Sequence, residues 1–387
     1  MEEIYLDNSS TTRPYPEVID FMGTALDKNF GNPSSLHQKG IEAEKLVEEA
    51  RRRIASFFTD REDEIYFTSG GTEANNLAVK GAALRNRNRG NHLITSQVEH
   101  PSVLNCFRYL EQEEGFSVDY LPVDNRGFVD PEQVKKLVKK ETIMVSIMHV
   151  NNEIGTVQPL EEVGPLVKDA NPSILFHVDA VQSFARMALD INSWQADLVS
   201  CSGHKIHGPR GAGCLWAKKG TLLQPLFHGG GQERELRPGT ENVPAIAGFG
   251  LAAKLTGESR QRKAAALGSL KLSFYQALEN SGVELYVNGP LPENGAVHII
   301  NISFPGLPSE VLLHSLEERG IFASSGSACH SRKPEPSHIL QTLGLSEERL
   351  QSALRFSFSF YNSEQEMEFA AAQIAEAVRE LKSIFNP

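Results

Sequence analysis

A chain of 387 residues exceeds one ordinary core and predicts two or three structural units. Its 40% hydrophobic and 22% charged residues form a globular balance that excludes intrinsic disorder. The formal net charge of -11 excludes polyanion binding as the main task, so neither nucleic acid nor an anionic membrane is an expected partner.

The N-terminus, Met1-Glu2-Glu3-Ile4-Tyr5-Leu6-Asp7, is acidic and lacks a basic region followed by an apolar run. No stretch of the chain is apolar enough to span a bilayer, and a cytoplasmic location is expected. Between Leu36 and Phe58 the residues Ile41, Leu46, Val47, Ala50, Ile54, Phe57 and Phe58 recur at helical spacing and predict an amphipathic helix. Its Arg51-Arg52-Arg53 cluster, and the basic residues of 85–89 in a polar loop, are expected on solvated faces. Glu64-Ile65-Tyr66-Phe67-Thr68 then meets Ser69-Gly70-Gly71-Thr72-Glu73 and an apolar-periodic stretch from Ala74, which reads as strand, glycine turn and helix.

Further strands are expected near 92–96, 118–123, 142–149, 174–179 and 197–202, most followed by helical patterns or polar turns. Short, near-continuous apolar strands alternating with helices predict an α/β fold with a mostly parallel central sheet sandwiched by helices. After about Phe249 a long Ala-, Leu- and Lys-rich helical stretch precedes strands near 297–304, 321–323 and 354–360, and a last amphipathic helix over 363–385. That texture predicts a smaller α+β domain.

The four cysteines, Cys106, Cys201, Cys214 and Cys329, are scattered without Cys-x-x-Cys or other metal-ligand spacing, so free thiols and no metal site are expected. Cys106, Cys201 and Cys214 sit among apolar neighbours and are expected to fill core space. Cys329 differs, because it ends the run Ser324-Ser325-Gly326-Ser327-Ala328 ahead of Pro334 and Pro336, where a thiol has little packing value.

Three features point to one cofactor. The Ser-Gly-Gly-Thr turn between strand and helix offers backbone N–H groups, a hydroxyl and a positive helix end to a phosphate. Asp179 closes the apolar run 174–178 at the sheet edge where open α/β sheets bind ligands, and a carboxylate there needs a cationic partner such as a protonated pyridine. Ser202-Gly203-His204-Lys205 follows the next apolar strand and brings an amine able to form a Schiff base.

With these residues in view, the chain resembles the cysteine desulfurases of the class V aminotransferase group, from Tyr5 to the final helix. The matching blocks, in family order, are YLDNSSTT, FGNPSSLH, FTSGGTEANNLA, VEHPSV, VSIMHVNNEIGTVQP, FHVDAVQS, SGHKIHGPRG, HGGGQERELRPGTEN, SSGSACHS and LRFSFS. The resemblance implies a fold type I transferase that uses pyridoxal 5'-phosphate, with a large cofactor-binding domain over 14–255 and a small domain made of 1–13 and 256–387. It implies that Lys205 bonds the cofactor, that Asp179 partners the pyridine nitrogen, and that Gln182 and Asn152 contact the ring hydroxyl. His100 would stack on the ring and could also move protons. Gly71, Thr72, Ser202 and His204 look like phosphate ligands, and Thr240 matches a threonine that completes the phosphate cup of the neighbouring subunit, so a homodimer is implied. His37, His92 and His177 are read as structural imidazoles.

The same resemblance makes Cys329 the sulfur acceptor, on a loop of the NifS/IscS-like branch that carries Ser-Ser-Gly-Ser-Ala-Cys. His330 beside it either lowers the thiol pKa or faces solvent, and the sequence leaves both open. In 354–360 the phenylalanines share one face and Arg355, Ser357 and Ser359 the other, a pattern that an edge strand with a wet face also gives. A planar guanidinium grips a carboxylate bidentately, and the family places an arginine here, so Arg355, with Asn152, is expected to hold the substrate carboxylate.

The implied reaction is removal of sulfur from L-cysteine, giving L-alanine and a persulfide that passes to a protein acceptor in iron-sulfur cluster assembly or tRNA thiolation. The alternative is a selenocysteine lyase or a related class V lyase with the same cofactor residues. The chain stops at Asn386-Pro387, without the longer tail on which some members dock an iron-sulfur scaffold, so that partner stays open.

Overall fold

The computed structural model describes residues 3–258, 260–325 and 337–385. Seven strands build the main sheet in the order Ile65–Thr68, Gly213–Ala217, Leu198–Ser202, Leu175–Asp179, Thr142–Ser146, His92–Ser96 and Ser117–Leu121. From Leu198–Ser202 to Ser117–Leu121 all neighbours run parallel, whereas Gly213–Ala217 is antiparallel to both of its neighbours. The mostly parallel sheet is as expected, and the reversed strand is one that the sequence pattern did not reveal.

Burial on both faces explains why these strands read as continuous apolar runs. Leu93 and Leu198 pack with Ala78, Phe107 and Leu110 from the helices Gly71–Arg85 and Pro101–Gln112. Their chain neighbours Ile94 and Val199 point the other way, onto Val47, Val163 and Phe249 from the helices Gln38–Ala55, Leu160–Ala170 and Val243–Gly257.

A second core gathers the C-terminal third. Ile299–Ser303 pairs antiparallel with Ala353–Ser357 and with Tyr286–Val287, and the helices Arg260–Asn280 and Glu364–Phe385 cover them. Ile4–Tyr5 pairs in parallel with Ile321–Phe322, which stitches the start of the chain to this core.

Several expectations need correction. Arg51 is not on a solvated face, because its guanidinium forms a bidentate pair with buried Glu233 and donates to the Ile65 carbonyl at 2.7 Å. The strand expected over 142–149 stops at Ser146, and the chain then turns through 147–152 along the ligand-facing edge of the sheet. The polar face of 354–360 is buried, Arg355, Ser357 and Ser359 alike, which removes the wet edge strand as an alternative reading of that pattern. Cys106, Cys201 and Cys214 are buried free thiols, the last two opposite each other across neighbouring strands. His92 lies between Thr142 and Asp119, His177 between Ser146 and Ser200, and His37 caps the helix Gln38–Ala55. Among the described residues no helix is long and apolar enough to cross a membrane.

Candidate functional site

A cleft of about 530 Å³ opens at the carboxyl ends of the parallel strands, beside the point where strand order reverses between His92–Ser96 and Thr142–Ser146. That is the general position of ligands in open α/β sheets, and the volume suits a cofactor-sized molecule.

One end is the glycine turn. Gly70 has φ 154°, a conformation side chains rarely adopt, and a Cβ on Gly71 would lie 2.7 Å from Val181 Cγ2. Glycines therefore let the first turn of Gly71–Arg85 come close against the cleft, where its free N–H groups favour an anion. Thr72 is exposed on that turn. Glu73 accepts from Ser69 N at 2.8 Å and pairs with Arg237 at 2.7 Å.

Asp179, the last residue of its strand, is 5% exposed. Its Oδ2 accepts from Asn75 Nδ2 at 2.7 Å and its Oδ1 from Val181 N at 2.9 Å, so the carboxylate is fixed in orientation. His100 caps the helix Pro101–Gln112 by accepting from Ser102 N through Nδ1 at 3.1 Å. Burial holds its imidazole below the ordinary histidine range, against the pull of Asp179. Burial and the Lys205 charge also push His204 down to about 4, which keeps that ring neutral.

Lys205 stands in a short turn after Leu198–Ser202. Its ammonium donates to the carbonyls of Ser9 at 2.5 Å and Ser10 at 2.7 Å. Opposite, Arg355 donates from Nη2 to Asp7 Oδ1 and Ser10 Oγ, each at 2.7 Å, and from Nη1 to Asn152 O at 3.1 Å.

Six buried polar atoms on residues lining the cleft lack a hydrogen-bond partner among the described residues: Ser9 Oγ, Asn75 Oδ1, Asn152 Oδ1, Gln182 Oε1, Ser202 Oγ and Arg355 Nε. Buried polar atoms are almost always partnered in native proteins, so a concentration of exceptions marks the place of a ligand with many hydrogen-bonding atoms. A phosphorylated hydroxypyridine has such atoms, and the donors at Gly71 and Ser202 with the acceptor at Asp179 fit it.

The structure thus gathers Gly71, Thr72, His100, Asn152, Asp179, Gln182, Ser202, His204, Lys205 and Arg355 around one cleft. It does not gather Thr240, which is exposed and does not line this chain's cleft. Cys329 and His330 lie outside the described residues. Sequence reasoning missed Asp7, Ser9, Ser10 and Asn75, although all four stand inside the blocks YLDNSSTT and FTSGGTEANNLA. Their signal was position within a motif, since short polar residues have no distinctive periodicity.

Comparison with known proteins agrees with this geometry. The family profile of class-V aminotransferases matches residues 4–369. A putative cysteine desulfurase IscS 1 of Bacillus subtilis (strain 168) is 44% identical over 382 residues, spanning 98% of this chain and 100% of that protein. The solved structure of a NifS-like protein superposes with a TM-score of 0.92 at 36% identity, covering 98% of this chain and 100% of its own. The structure described as SspA in complex with cysteine gives a TM-score of 0.82 at 34% identity, over 93% of this chain and 100% of its own. Enzymes of this kind use pyridoxal phosphate. The chain belongs to the class-V aminotransferase family, in its branch of NifS- and IscS-type cysteine desulfurases.

Proposed function

We propose that the protein is a cysteine desulfurase that removes sulfur from L-cysteine, releasing L-alanine and leaving a persulfide on Cys329. The observation that carries this reading is the meeting, in one cleft, of Lys205, Asp179 and Arg355 with six unpartnered buried polar atoms.

Pyridoxal phosphate, when bound, supplies a carbonyl that condenses with amines and a ring that accepts electrons from the substrate Cα. Lys205 would hold it through Nζ, giving up the Ser9 and Ser10 carbonyls. Asp179, oriented by Asn75 and Val181 N, would keep a proton on the pyridine nitrogen. Gln182 and Asn152 would meet the ring hydroxyl and His100 the ring face. Gly71, Thr72 and Ser202 would take the phosphate together with His204, whose neutral ring gives a hydrogen bond without a charge. Arg355 and Asn152 would grip the substrate carboxylate.

The Lys205 amine, when free, would take the substrate Cα proton. The Cys329 thiolate then attacks the substrate sulfur. An S–S bond forms, the Cβ–S bond breaks with its electrons passing to the carbon skeleton, and protonation there yields alanine. The persulfide goes to a protein acceptor, of which an iron-sulfur scaffold or a tRNA-thiolating enzyme are the candidates. A homodimer in which Thr240 reaches the neighbouring phosphate site, a cytoplasmic location, and the division into 14–255 against 1–13 with 256–387 complete the proposal.

The experiment is to supply L-cysteine and a thiol reductant and to measure alanine and sulfide. Equal amounts of both, lost in Cys329→Ala while cofactor stays bound, support the reading. Alanine release by Cys329→Ala at the parent rate would refute the persulfide route, and activity confined to selenocysteine would favour a lyase.

A further inference from the structure

A second, smaller cavity of about 20 Å³ lies where the helix Arg260–Asn280 and the segment around His298 approach Arg186 and His207. That space holds one or two water-sized bodies. Arg186, His207, Arg260, Lys263 and His298 line it, and among the described residues no Asp or Glu side chain does.

The three cations there donate to backbone carbonyls. Arg186 Nη2 donates to Lys205 O, Arg260 Nη1 to Met187 O and Lys263 Nζ to Leu255 O. Four buried nitrogens remain without a partner among the described residues: Arg186 Nη1, His207 Nε2, and both ring nitrogens of His298. The Arg186 charge bears on both histidines. A buried cationic N–H with neither acceptor nor counter-ion is among the costliest arrangements a fold can hold. Burial accordingly pushes the Arg186 guanidinium down to about 10, with only the Tyr15 phenol opposing.

The geometry points to this cavity as a binding site for one small monovalent anion of the halide class, held by Arg186 Nη1 and a ring N–H of His298. Water in the cavity would satisfy the hydrogen bonds and leave the charge uncompensated, and a carboxylate or phosphate exceeds the space. A halide meets the size and the charge together.

His207 adds a condition. Its Nδ1 lies 2.7 Å from the Arg13 carbonyl and must donate to it, which leaves Nε2 as a bare lone pair in the neutral ring. An anion beside Nε2 is bound together with a proton. The groups facing this ring are the cations Arg186 and Lys263, the carbonyl of Arg13 and the rings of Tyr15, Phe360 and Tyr361. Burial and the two cations hold its pKa down, to about 3, and an anion offsets the cations. Binding should therefore tighten as pH falls. Arg186 also holds the Lys205 carbonyl, so the anion braces the turn that carries the cofactor lysine.

The test uses the cofactor-loaded protein. Its unfolding midpoint is followed in sodium chloride against sodium gluconate at equal ionic strength, at pH 6 and pH 8, and crystals soaked in sodium bromide are read for anomalous scattering. The expected result is a chloride-specific rise that saturates as one site, half-complete at lower chloride at pH 6, with a bromide peak among Arg186, His207 and His298. Arg186→Met should abolish the rise and the peak. If that variant does not fold, His298→Phe is read in its place. Equal midpoints in the two salts, with water alone in the cavity, would overturn the proposal.

Discussion

The two walls of the cleft spend their polar groups differently. On the main-sheet wall, Asn75, Gln182 and Ser202 keep buried atoms without partners around the fixed carboxylate of Asp179. On the wall built by the first residues of the chain and Ala353–Ser357, Arg355 is already engaged through both Nη atoms, with Asp7, Ser10 and Asn152, and leaves only its Nε, like Ser9 Oγ, without a partner among the described residues. An unpartnered buried polar group costs about 1–3 kcal/mol, a cost that a resident ligand removes. The partnered Nη groups of Arg355 carry no such cost and can exchange one acceptor for another. The first wall is set for a molecule that stays, and the second for one that comes and goes.

Arg355 shows what exchange requires. A carboxylate gripped by two parallel N–H groups must share Nη2, the nitrogen that now serves Asp7 and Ser10. The neutral Ser10 hydroxyl is the cheaper of the two to displace, so the entering carboxylate should take its place while Asp7 keeps hold of the guanidinium.

The main-sheet wall also has a buried carboxyl behind it, and the largest effect is expected there. Burial pushes Glu99, beside His100, up to about 8. Its protonated form favours folding, fully so below about 4.5, and that contribution is lost as pH rises through about 8. Glu99→Gln should therefore flatten the decline of stability with pH in this window by up to about 1.4 kcal/mol per pH unit, measured by denaturant unfolding. An unchanged slope would show that Glu99 does not take up a proton on folding.

On the exchanging wall, Arg355→Lys removes the bidentate grip and should cost about 1.5–3 kcal/mol, roughly 10- to 100-fold in kcat/KM for L-cysteine. Cofactor retention should stay at the parent level. A variant that instead lost cofactor would erase the distinction between the walls.

On the resident wall, Asn75→Ala releases one oxygen of Asp179 and should weaken cofactor retention about tenfold. Dialysis followed by absorbance readings tests this, and a change confined to KM for cysteine would contradict it. Smallest is Thr240→Ala, expected to weaken retention a few-fold by removing one hydroxyl donor from a neighbouring phosphate site. Equal retention in parent and variant would count against a shared site.

Much of the fold was legible because burial on both faces writes itself as apolar runs, and Asp179 and Lys205 stood out as charges at the ends of such runs. Gly213–Ala217 escaped because its neighbours in sequence are turns rather than helices, so no alternation announced it. Arg51 looked solvated because helical spacing cannot foresee Glu233, far along the chain. The second wall was the least legible part. Ser9 and Ser10 act largely through backbone carbonyls, which any residue possesses, and Asp7 meets Arg355 across the seam that Ile4–Tyr5 forms with Ile321–Phe322, far apart in sequence.

The claim that the cleft holds pyridoxal phosphate through one lysine can be read directly by borohydride reduction of the cofactor-loaded protein, followed by peptide mapping. Reduction should fix the cofactor on Lys205 alone, in one copy per chain, with none retained in Lys205→Ala. Cofactor found on another lysine, or a parent protein from which it washes out after reduction, would contradict the claim.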